Sequence, residues 1–517
     1  MFESAELGHK IDKATFDKQA PRLRADLLDA QYDMGALKKY AVIILVNGVN
    51  GAGKGETVNL LNAWMDPRHI QTHAFPPPTD EERERPFMWR FWRALPPKGK
   101  IGILFGNWYT DPIVNRARKI TKAADLDQSI EEINRFEKML ADEGTLILKV
   151  WMHLSKAAQK KRLTALEKNK KTRWRVTKAD WEHFAMYDKF RKVSERVLRH
   201  TSTGYAPWIV VEGADENYRS LTVAGILLDA LRKRQKIEQT RGWKARSAAA
   251  PLPQALDSRD LINSLDMSLA LSKKRFEKDL EKYQGRLNLL TRDPKFRERS
   301  LIVVFEGSDA AGKGGSIRRI TGALDARQYQ IIPVAAPTEE ERAQPYLWRF
   351  WRQVPRIGRI TIFDRSWYGR VLVERVEGFA TTREWKRAYD EINEFERVLV
   401  EDGMRITKLF MHITPAEQIK RFKSRLTDPL KRWKLSYEDF RNRARWGDYE
   451  VAIEDMMEQT STKRVPWYLI PANNKPFGRL VAFRTLIDRL GKDVSLEPRP
   501  LDPQIAEQAH QLFDIPG

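Results

Sequence analysis

The chain has 517 residues and a marked surplus of positive charge, with 92 Lys and Arg against 70 Asp and Glu and a formal net charge of +22. This surplus predicts a polyanionic partner such as nucleic acid, an anionic membrane or a phosphate-rich substrate. The sequence contains no cysteine, which excludes disulfides, thiolate metal sites and thiol catalysis and favours a reducing compartment.

The N-terminus and the hydropathy of the chain argue against membrane insertion. The first residues, MFESAELGHKIDK, include no apolar segment of signal-peptide length. No stretch approaches the ~18 uninterrupted apolar residues of a membrane span. We therefore expect a soluble, cytoplasmic protein without a membrane partner.

The first half of the chain predicts alternating helices and strands. A helix with apolar residues at three- and four-residue spacing is expected over residues 13–39. An apolar strand follows, then the glycine-rich sequence GVNGAGKG at residues 48–55, and then another helix. Further along lie a Pro-rich acidic loop, the aromatic sequence WRFW and three short apolar strands, at residues 76–84, 89–92, 101–105, 146–152 and 209–211.

A segment with little structure-forming pattern, RSAAAPLPQ at residues 246–254, interrupts this alternation. We place a linker at residues 246–257, one domain at 1–245 and a second domain at 258–517. The second half repeats the order of the first, with a helix and four strands predicted at residues 260–290, 301–305, 360–363, 406–411 and 467–470.

The two halves are copies of one domain. Each places G-x-x-x-x-G-K after an apolar strand, and an offset of 259 residues that maps Lys313 onto Lys54 also maps the WRFW, WY, RW and PW motifs onto each other. A glycine-rich loop between a strand and a helix directs backbone N–H groups at phosphate oxygens. We predict an α/β, P-loop kinase-like three-layer fold with a parallel sheet, duplicated in tandem, and phosphoryl transfer as its chemistry.

The copies differ in their charged residues. The strand at residues 360–363 ends in Asp364, at the position where P-loop enzymes hold Mg²⁺, and Arg365 follows. The first copy has Phe105 and Gly106 there, and it also replaces five charged residues of the second copy, namely Glu306 by Asn47, Asp309 by Asn50, Arg370 by Asp111, Glu374 by Asn115 and Arg425 by Leu166. We predict an active second copy and a first copy retained as a scaffold. The alternative is a first copy with another acceptor or other ligands, and weak phosphate binding at Lys54 stays open.

The second P-loop departs from the standard sequence, because Gly314 follows Lys313 where a Ser or Thr would ligate Mg²⁺. The metal must then rest on carboxylates, first Asp364 and second Asp309, with substrate phosphates and water completing its shell. Asp309 could alternatively orient the acceptor. We expect Mg²⁺ as the cofactor, or Mn²⁺ in its place.

A strongly basic segment, KRFKSRLTDPLKRWK, covers residues 420–434. The proline within it predicts a helix, an exposed loop and another helix. The loop could close over the P-loop as a lid that excludes water and brings guanidinium groups to the phosphate. The alternative is a solvated charged surface.

The motifs of the second copy together resemble the family-2 polyphosphate kinases. FEGSDAAGKGGSIRRI, PTEEERAQPYLWRFW, FDRSWYGRVLVERVEGF and KRWKLSYEDF match that family's phosphate loop, acidic loop, metal-binding strand and lid in order. The resemblance implies phosphoryl transfer between inorganic polyphosphate and a nucleoside phosphate with Mg²⁺. The tandem arrangement is similar to the subclass that converts AMP to ADP.

The resemblance implies that Asp309, Lys313, Asp364 and Arg365 are the catalytic residues, with Asp364 and Asp309 as metal ligands. The predicted substrate-binding set adds loop and basic residues, namely Gly307, Ala310, Ala311, Gly312, Gly314, Gly315, Ser316, Arg370, Arg375, Arg421, Arg425, Lys431 and Arg432. The direction of transfer and a homo-oligomer are left open.

Four rival functions remain. One is a polyphosphate-dependent kinase of ADP or GDP, and another is an ATP-dependent nucleotide kinase. The third is a nucleic-acid-binding P-loop protein, against which the absence of a recognisable nucleic-acid module counts. The fourth is a non-catalytic binder, against which the P-loop and the carboxylate at the end of the strand, together in one copy, count.

Overall fold

The computed structural model describes residues 1–240, 261–262, 264–428, 434–491 and 502–513. We call residues 1–240 the first copy and residues 261–513 the second copy. The chain divides into two compact units. One contains the first copy without Glu84–Pro86 and also includes Pro337–Arg352, and the other contains the rest of the second copy together with Glu84–Pro86. The predicted linker at residues 246–257 lies outside the described residues, so the predicted domain boundaries stay predictions.

The first copy is built on a sheet of five parallel strands in the order β2-β3-β1-β4-β5. The strands are β1 Val42–Gly48, β2 Ile70–Ala74, β3 Ile101–Phe105, β4 Leu146–His153 and β5 Trp208–Glu212. The helices of this copy are α1 Lys13–Leu37, α2 Lys54–Trp64, α3 Asp80–Arg83, α4 Trp89–Arg93, α5 Thr110–Ala117, α6 Ala123–Asp142, α7 Lys156–Lys168, α8 Lys178–Ala185, α9 Tyr187–Thr201 and α10 Glu216–Thr240.

Helices cover both faces of this sheet, which makes three layers. Every residue of β1 is buried, as expected for a central parallel strand with a helix layer on each side. On one face Ile44 packs in a core with Leu61 of α2 and Leu227 of α10. On the other face α6 and α9 pack together, and α6 also contacts β4.

The second copy repeats this architecture with parallel strands in the order β7-β8-β6-β9-β10. The strands are β6 Leu301–Gly307, β7 Tyr329–Pro333, β8 Ile360–Asp364, β9 Arg405–His412 and β10 Trp467–Pro471. The helices are α11 Lys273–Arg292, α12 Pro294–Arg297, α13 Lys313–Thr321, α14 Glu339–Ala343, α15 Trp348–Trp351, α16 Val373–Val376, α17 Thr382–Glu401, α18 Pro415–Thr427, α19 Tyr437–Ala444, α20 Trp446–Thr460, α21 Lys475–Leu490 and α22 Pro503–Phe513.

The predicted parallel α/β fold in tandem is confirmed, with two differences in its elements. The edge strands β2 and β7 were not predicted, because most of their residues are partly or fully exposed and carry no apolar run. The helix predicted over 260–290 begins only at Lys273, where Ser272 accepts a hydrogen bond from the Arg275 N–H and caps it. Among the described residues, no helix is long and apolar enough to cross a bilayer.

Candidate active site in the second copy

The P-loop of the second copy connects the end of β6 to the start of α13. Gly307 and Gly312 have φ of +137° and +108°, a region that a β-carbon disfavours. A β-carbon at Gly307 would also collide with the Met411 carbonyl oxygen on the neighbouring strand. Gly314, Gly315 and Ser316 form the first turn of α13, so loop and helix N–H groups converge on one point as in a phosphate site.

Lys313, the first residue of α13, folds back over this loop. Its Nζ donates to the carbonyl oxygens of Gly307 at 2.7 Å and Ser308 at 3.3 Å. Burial lowers the pKa of Lys313, and the positive charge of Arg365 adds to the effect. The ammonium group thus lies beside the loop, within reach of an anion bound there.

Asp309 and Arg365 form an ion pair at the centre of the site. Asp309 Oδ1 accepts from Arg365 Nη2 at 2.5 Å, and Asp309 Oδ2 accepts from Asn442 Nδ2 at 2.8 Å. Burial alone opposes ionisation of Asp309, but the charges of Arg365 and Lys313 outweigh it and hold the pKa of Asp309 below its ordinary value. Asp309 is therefore a carboxylate held in place by two protein donors.

The backbone of Arg365 is strained, with φ of +64°. A non-glycine residue held in this left-handed region costs about 1–2 kcal/mol, and such residues cluster at functional sites. The equivalent residue of the first copy is Gly106, with φ of +74°. Ala310 at +65° and Gly51 at +79° form a second pair of the same kind. Both copies keep the backbone path, but only the second copy places side chains on it.

Two acidic residues complete this end of the sheet. Asp364 is the last residue of β8, in register with Phe305 of β6. Glu306 is only 4% exposed and accepts a 2.7 Å hydrogen bond from the Ser366 hydroxyl. Burial raises the pKa of Glu306. Glu306 was noted in the sequence as a difference between the copies but was not included in the predicted site.

Asp309 and Asp364 are the carboxylates that would contribute to a magnesium shell. Within the described ranges, no group of three or more acidic or histidine side chains could hold a metal alone. Mg²⁺ commonly takes only one or two carboxylates and fills its shell with substrate phosphates and water. Asp309 and Asp364 both act electrostatically on Lys313, so both carboxylates lie in the neighbourhood of the P-loop, and two carboxylates are a donor set of the kind that Mg²⁺ takes.

A second group of residues holds Asp309 from the side of α19 and α20. The Tyr449 hydroxyl lies 3.1 Å from Asn442 Oδ1 and 3.4 Å from Glu377 Oε1, and Arg441 pairs with Glu377 at 3.1 Å. The sequence prediction missed these residues, since Asn442 lies 133 positions beyond Asp309. Comparison of the copies could have found them, because the first copy has His183 and Phe190 in place of Asn442 and Tyr449.

Arg421, which was predicted as part of a lid, lies buried against the backbone of the P-loop. Its side chain is buried, and its guanidinium donates to the carbonyl oxygens of Ala310 at 2.8 Å and Ala311 at 2.9 Å, and of Ala472 at 2.6 Å. Glu417 accepts from Arg421 Nε at 2.7 Å. These contacts hold the backbone of the P-loop in place. The equivalent residue of the first copy, Arg162, pairs with Glu56 at 3.0 Å instead.

The other predicted basic residues occupy different places. Arg425 donates to the Lys434 carbonyl oxygen at 3.1 Å, and its charge helps to lower the pKa of Asp309. Arg370 pairs with Glu374 at 2.9 Å. Arg375 contacts α17 and α20 through Tyr389 and Asp455, and these contacts do not involve the P-loop. Lys431 and Arg432 lie outside the described residues, so their roles stay predictions.

Arg479 of α21 is a basic residue of this region that the sequence prediction missed. A β-carbon built on Gly315 would lie 2.9 Å from Arg479 Nη2, so the guanidinium covers the first turn of α13. Its Nε has no hydrogen-bond partner in the part of the chain that the structure describes. Burial lowers the pKa of Arg479 to about 10. The first copy has Ser220 at this position.

A buried network anchors the loop that follows β8. Glu396 Oε1 accepts from Trp367 Nε1 at 3.1 Å and from the Tyr368 hydroxyl at 2.7 Å, and Glu396 Oε2 pairs with Lys408 at 2.9 Å. Lys408 also donates to the Thr460 carbonyl oxygen at 2.7 Å. The first copy contains the same network around Glu137 and Lys149, a pair at 2.7 Å. The network therefore supports the fold of both copies.

The fold and this site define a phosphotransferase with a P-loop in each copy. The family model described as polyphosphate kinase 2 matches residues 10–239 and 270–497. The chain belongs to the polyphosphate kinase 2 family, and the resemblance predicted from its motifs is confirmed.

Similar proteins cover nearly the whole chain. A polyphosphate:AMP phosphotransferase of Pseudomonas aeruginosa is 53% identical over 490 residues, covering 95% of this chain and 98% of that protein. Another from Pseudomonas syringae pv. tomato is 50% identical, with coverage of 95% and 98%. The crystal structure of a polyphosphate kinase 2 from Pseudomonas aeruginosa matches with a TM-score of 0.86 at 51% identity, over 95% of this chain and 99% of that one.

Proposed function

We propose that this chain transfers the terminal phosphoryl group of inorganic polyphosphate to AMP, giving ADP and a polyphosphate one unit shorter. The observation that carries this proposal is the match across both copies, at 53% identity over 95% of the chain, to a protein named polyphosphate:AMP phosphotransferase. The ion pair of Asp309 and Arg365 beside the P-loop supports it, since phosphoryl transfer needs positioned charge around the moving group. The net charge of +22 suits a polymeric anion as donor.

In the proposed reaction the P-loop N–H groups and Lys313 bind the terminal phosphate of the donor. Arg365 turns from Asp309 toward the transferring group and neutralises the charge on its oxygens, a contribution that is worth about 10³ to 10⁵ in rate in other phosphotransferases. Asp309 stays held by Asn442 and keeps the loop aligned. Arg479 extends the positive surface along the donor chain.

The acceptor needs little help from a base. A phosphate oxygen of AMP attacks the terminal phosphorus, the bridging P–O bond of polyphosphate breaks, and the shortened chain leaves with the negative charge. The AMP phosphate is already ionised at neutral pH, so no proton has to be removed before attack. One phosphoanhydride is broken and one is formed, and we therefore expect measurable reversal.

Mg²⁺, or Mn²⁺ in its place, would be held by Asp364 with Asp309. When bound, such an ion supplies positive charge that neutralises phosphate oxygens. The residues of the chain itself bind the phosphates, orient them and exclude water.

A donor and acceptor matrix tests the proposal. Purified full-length chain is incubated with long-chain polyphosphate or ATP as donor and with AMP, ADP, GMP or GDP as acceptor. We expect ADP to form from AMP and polyphosphate as the fastest reaction. Turnover from ATP but not from polyphosphate would make the protein an ATP-dependent nucleotide kinase, and faster phosphorylation of ADP or GDP would replace AMP as the acceptor.

A further inference from the structure

The first copy contains a cavity of about 260 Å³ at the position that corresponds to the active site of the second copy. The first P-loop, with Gly48 and Lys54, lines one side of it. The other sides come from β3, β4, α5 and α9, and their apolar contributors are Phe105, Ile113, Val114, Trp151, Met186 and Phe190. The degenerate copy has therefore kept a chamber where the catalytic groups were lost.

The walls of this chamber are mostly apolar, although Arg118 and His183 also line it, and two of the apolar residues replace charged ones. Phe105 and Met186 line the cavity where the second copy has Asp364 and Arg445. Aromatic and sulfur-containing side chains at such positions favour an apolar or aromatic ligand. A simple loss of function would not require large apolar residues to line an open volume.

The side of the cavity that the P-loop forms still has the lysine that would bind an anion. Lys54 Nζ donates to the Gly48 carbonyl oxygen at 2.7 Å, the same contact that Lys313 makes in the second copy. Burial lowers the pKa of Lys54 to about 8, which leaves the ammonium mostly charged at neutral pH. Asn47 and Asn50 replace the carboxylates of Glu306 and Asp309, so an anion bound here would lack those two metal ligands.

Two buried polar atoms at the cavity have no protein partner. The indole N–H of Trp151 and the amide oxygen of Gln159 lack hydrogen bonds within the described residues, and both side chains are at most 3% exposed. Leaving a buried polar group unpaired costs about 1–3 kcal/mol. The residue equivalent to Trp151 is Phe410, so this donor belongs to the first copy alone.

The volume suits a ligand of modest size. An apolar cavity of about 150 Å³ holds a benzene molecule, so a cavity of about 260 Å³ accommodates a phosphate group together with a ring-sized apolar body.

We propose that the first copy is a binding site for a small phosphate monoester with an apolar or aromatic body, held by the P-loop at Lys54 without a metal ion. The phosphate lies at the start of α2, and the apolar body fills the space between Phe105, Trp151 and Met186. This site is separate from the proposed transfer reaction in the second copy.

Calorimetric titration of the full-length chain in the presence of a chelator tests this proposal, with phenyl phosphate as the probe and inorganic phosphate and phenol as its two halves. We expect one equivalent of phenyl phosphate to bind at least tenfold more tightly than either half. Added Mg²⁺ should leave this affinity unchanged. Failure of phenyl phosphate to bind, or a requirement for Mg²⁺, would overturn the proposal.

Matched variants assign the binding to one copy. Lys54→Met should weaken phenyl phosphate binding at least tenfold, whereas Lys313→Met should leave it unchanged. Val114→Phe fills the cavity without touching Lys54, so it should also abolish binding while polyphosphate:AMP turnover persists. Loss of binding in Lys313→Met, or full binding in Val114→Phe, would place the probe elsewhere and refute the proposal.

Discussion

Replacing Arg365 with the glycine of the first copy, Arg365→Gly, separates backbone strain from catalysis. The left-handed backbone of Arg365, with φ of +64°, costs about 1–2 kcal/mol for a residue with a β-carbon. Glycine removes that cost. The change also removes the 2.5 Å ion pair to Asp309, and hydrogen bonds to charged groups contribute about 1.5–3 kcal/mol. The Arg365 side chain is 38% exposed, which favours the lower end of that range.

The two contributions nearly cancel, so we expect the free energy of unfolding to change by less than about 1 kcal/mol. The melting temperature should then move by no more than about 2–4 °C for a domain of this size. Turnover of AMP with polyphosphate should nevertheless fall by about 10³ or more, because a guanidinium that neutralises the transferring group is lost. Thermal melting and a steady-state assay on the same preparation measure both effects.

The reciprocal change, Gly106→Arg, is the matched control. Position 106 has φ of +74°, and a β-carbon there would lie 3.3 Å from the Phe75 carbonyl oxygen. We expect a loss of about 1–2 kcal/mol of stability with activity unchanged. Arg365→Gly retaining more than a tenth of wild-type turnover would refute the assignment of Arg365 to phosphoryl transfer. A large fall in its melting temperature would show that the residue is structural.

Three further predictions concern single positions. Lys313→Ala should abolish turnover and Lys54→Ala should leave most of it in the same assay; equal losses would contradict an inactive first copy. Tyr449→Phe removes the hydroxyl beside Asn442, so kcat should fall about fivefold, which corresponds to about 1 kcal/mol; an unchanged kcat would exclude a positioning role. Arg479→Ser should raise the KM for polyphosphate about tenfold with the KM for AMP unchanged, and a rise for AMP instead would count against a donor contact.

The fold was largely predictable because its central strands are continuous apolar runs. β1 and β6 are buried along almost their whole length. Each leads into a glycine-rich loop and a helix, which is the order of elements in a P-loop fold. The edge strands were not predictable by the same means, since residues such as Gln71 and Thr72 in β2 are exposed. Their pairing with β3 is set by the sheet and not by their own composition.

The site was predictable where a residue lies next to a motif and less so where folding brings it there. Comparison of the two copies singled out Asp309, Asp364 and Arg365, which the structure places at one end of the sheet. Asn442 and Arg479 approach the P-loop from α19 and α21, so local sequence could not assign them. Arg421 was predicted as part of a lid. It binds backbone carbonyl oxygens, and because every residue has such a group, the sequence does not indicate which ones an arginine will contact.

The buried network of Glu396, Lys408 and Tyr368 supports the loop after β8 independently of the charged residues of the site. Its counterpart in the first copy holds the loop after β3 through Lys149 and Glu137, and none of these groups belongs to the charged set that distinguishes the copies. The first copy thus keeps the backbone of the site without its charged side chains, and its chain already follows the same path at Gly51 and Gly106. Restoring a charged site in the first copy would therefore require acidic and basic side chains at a few positions and no change to the sheet.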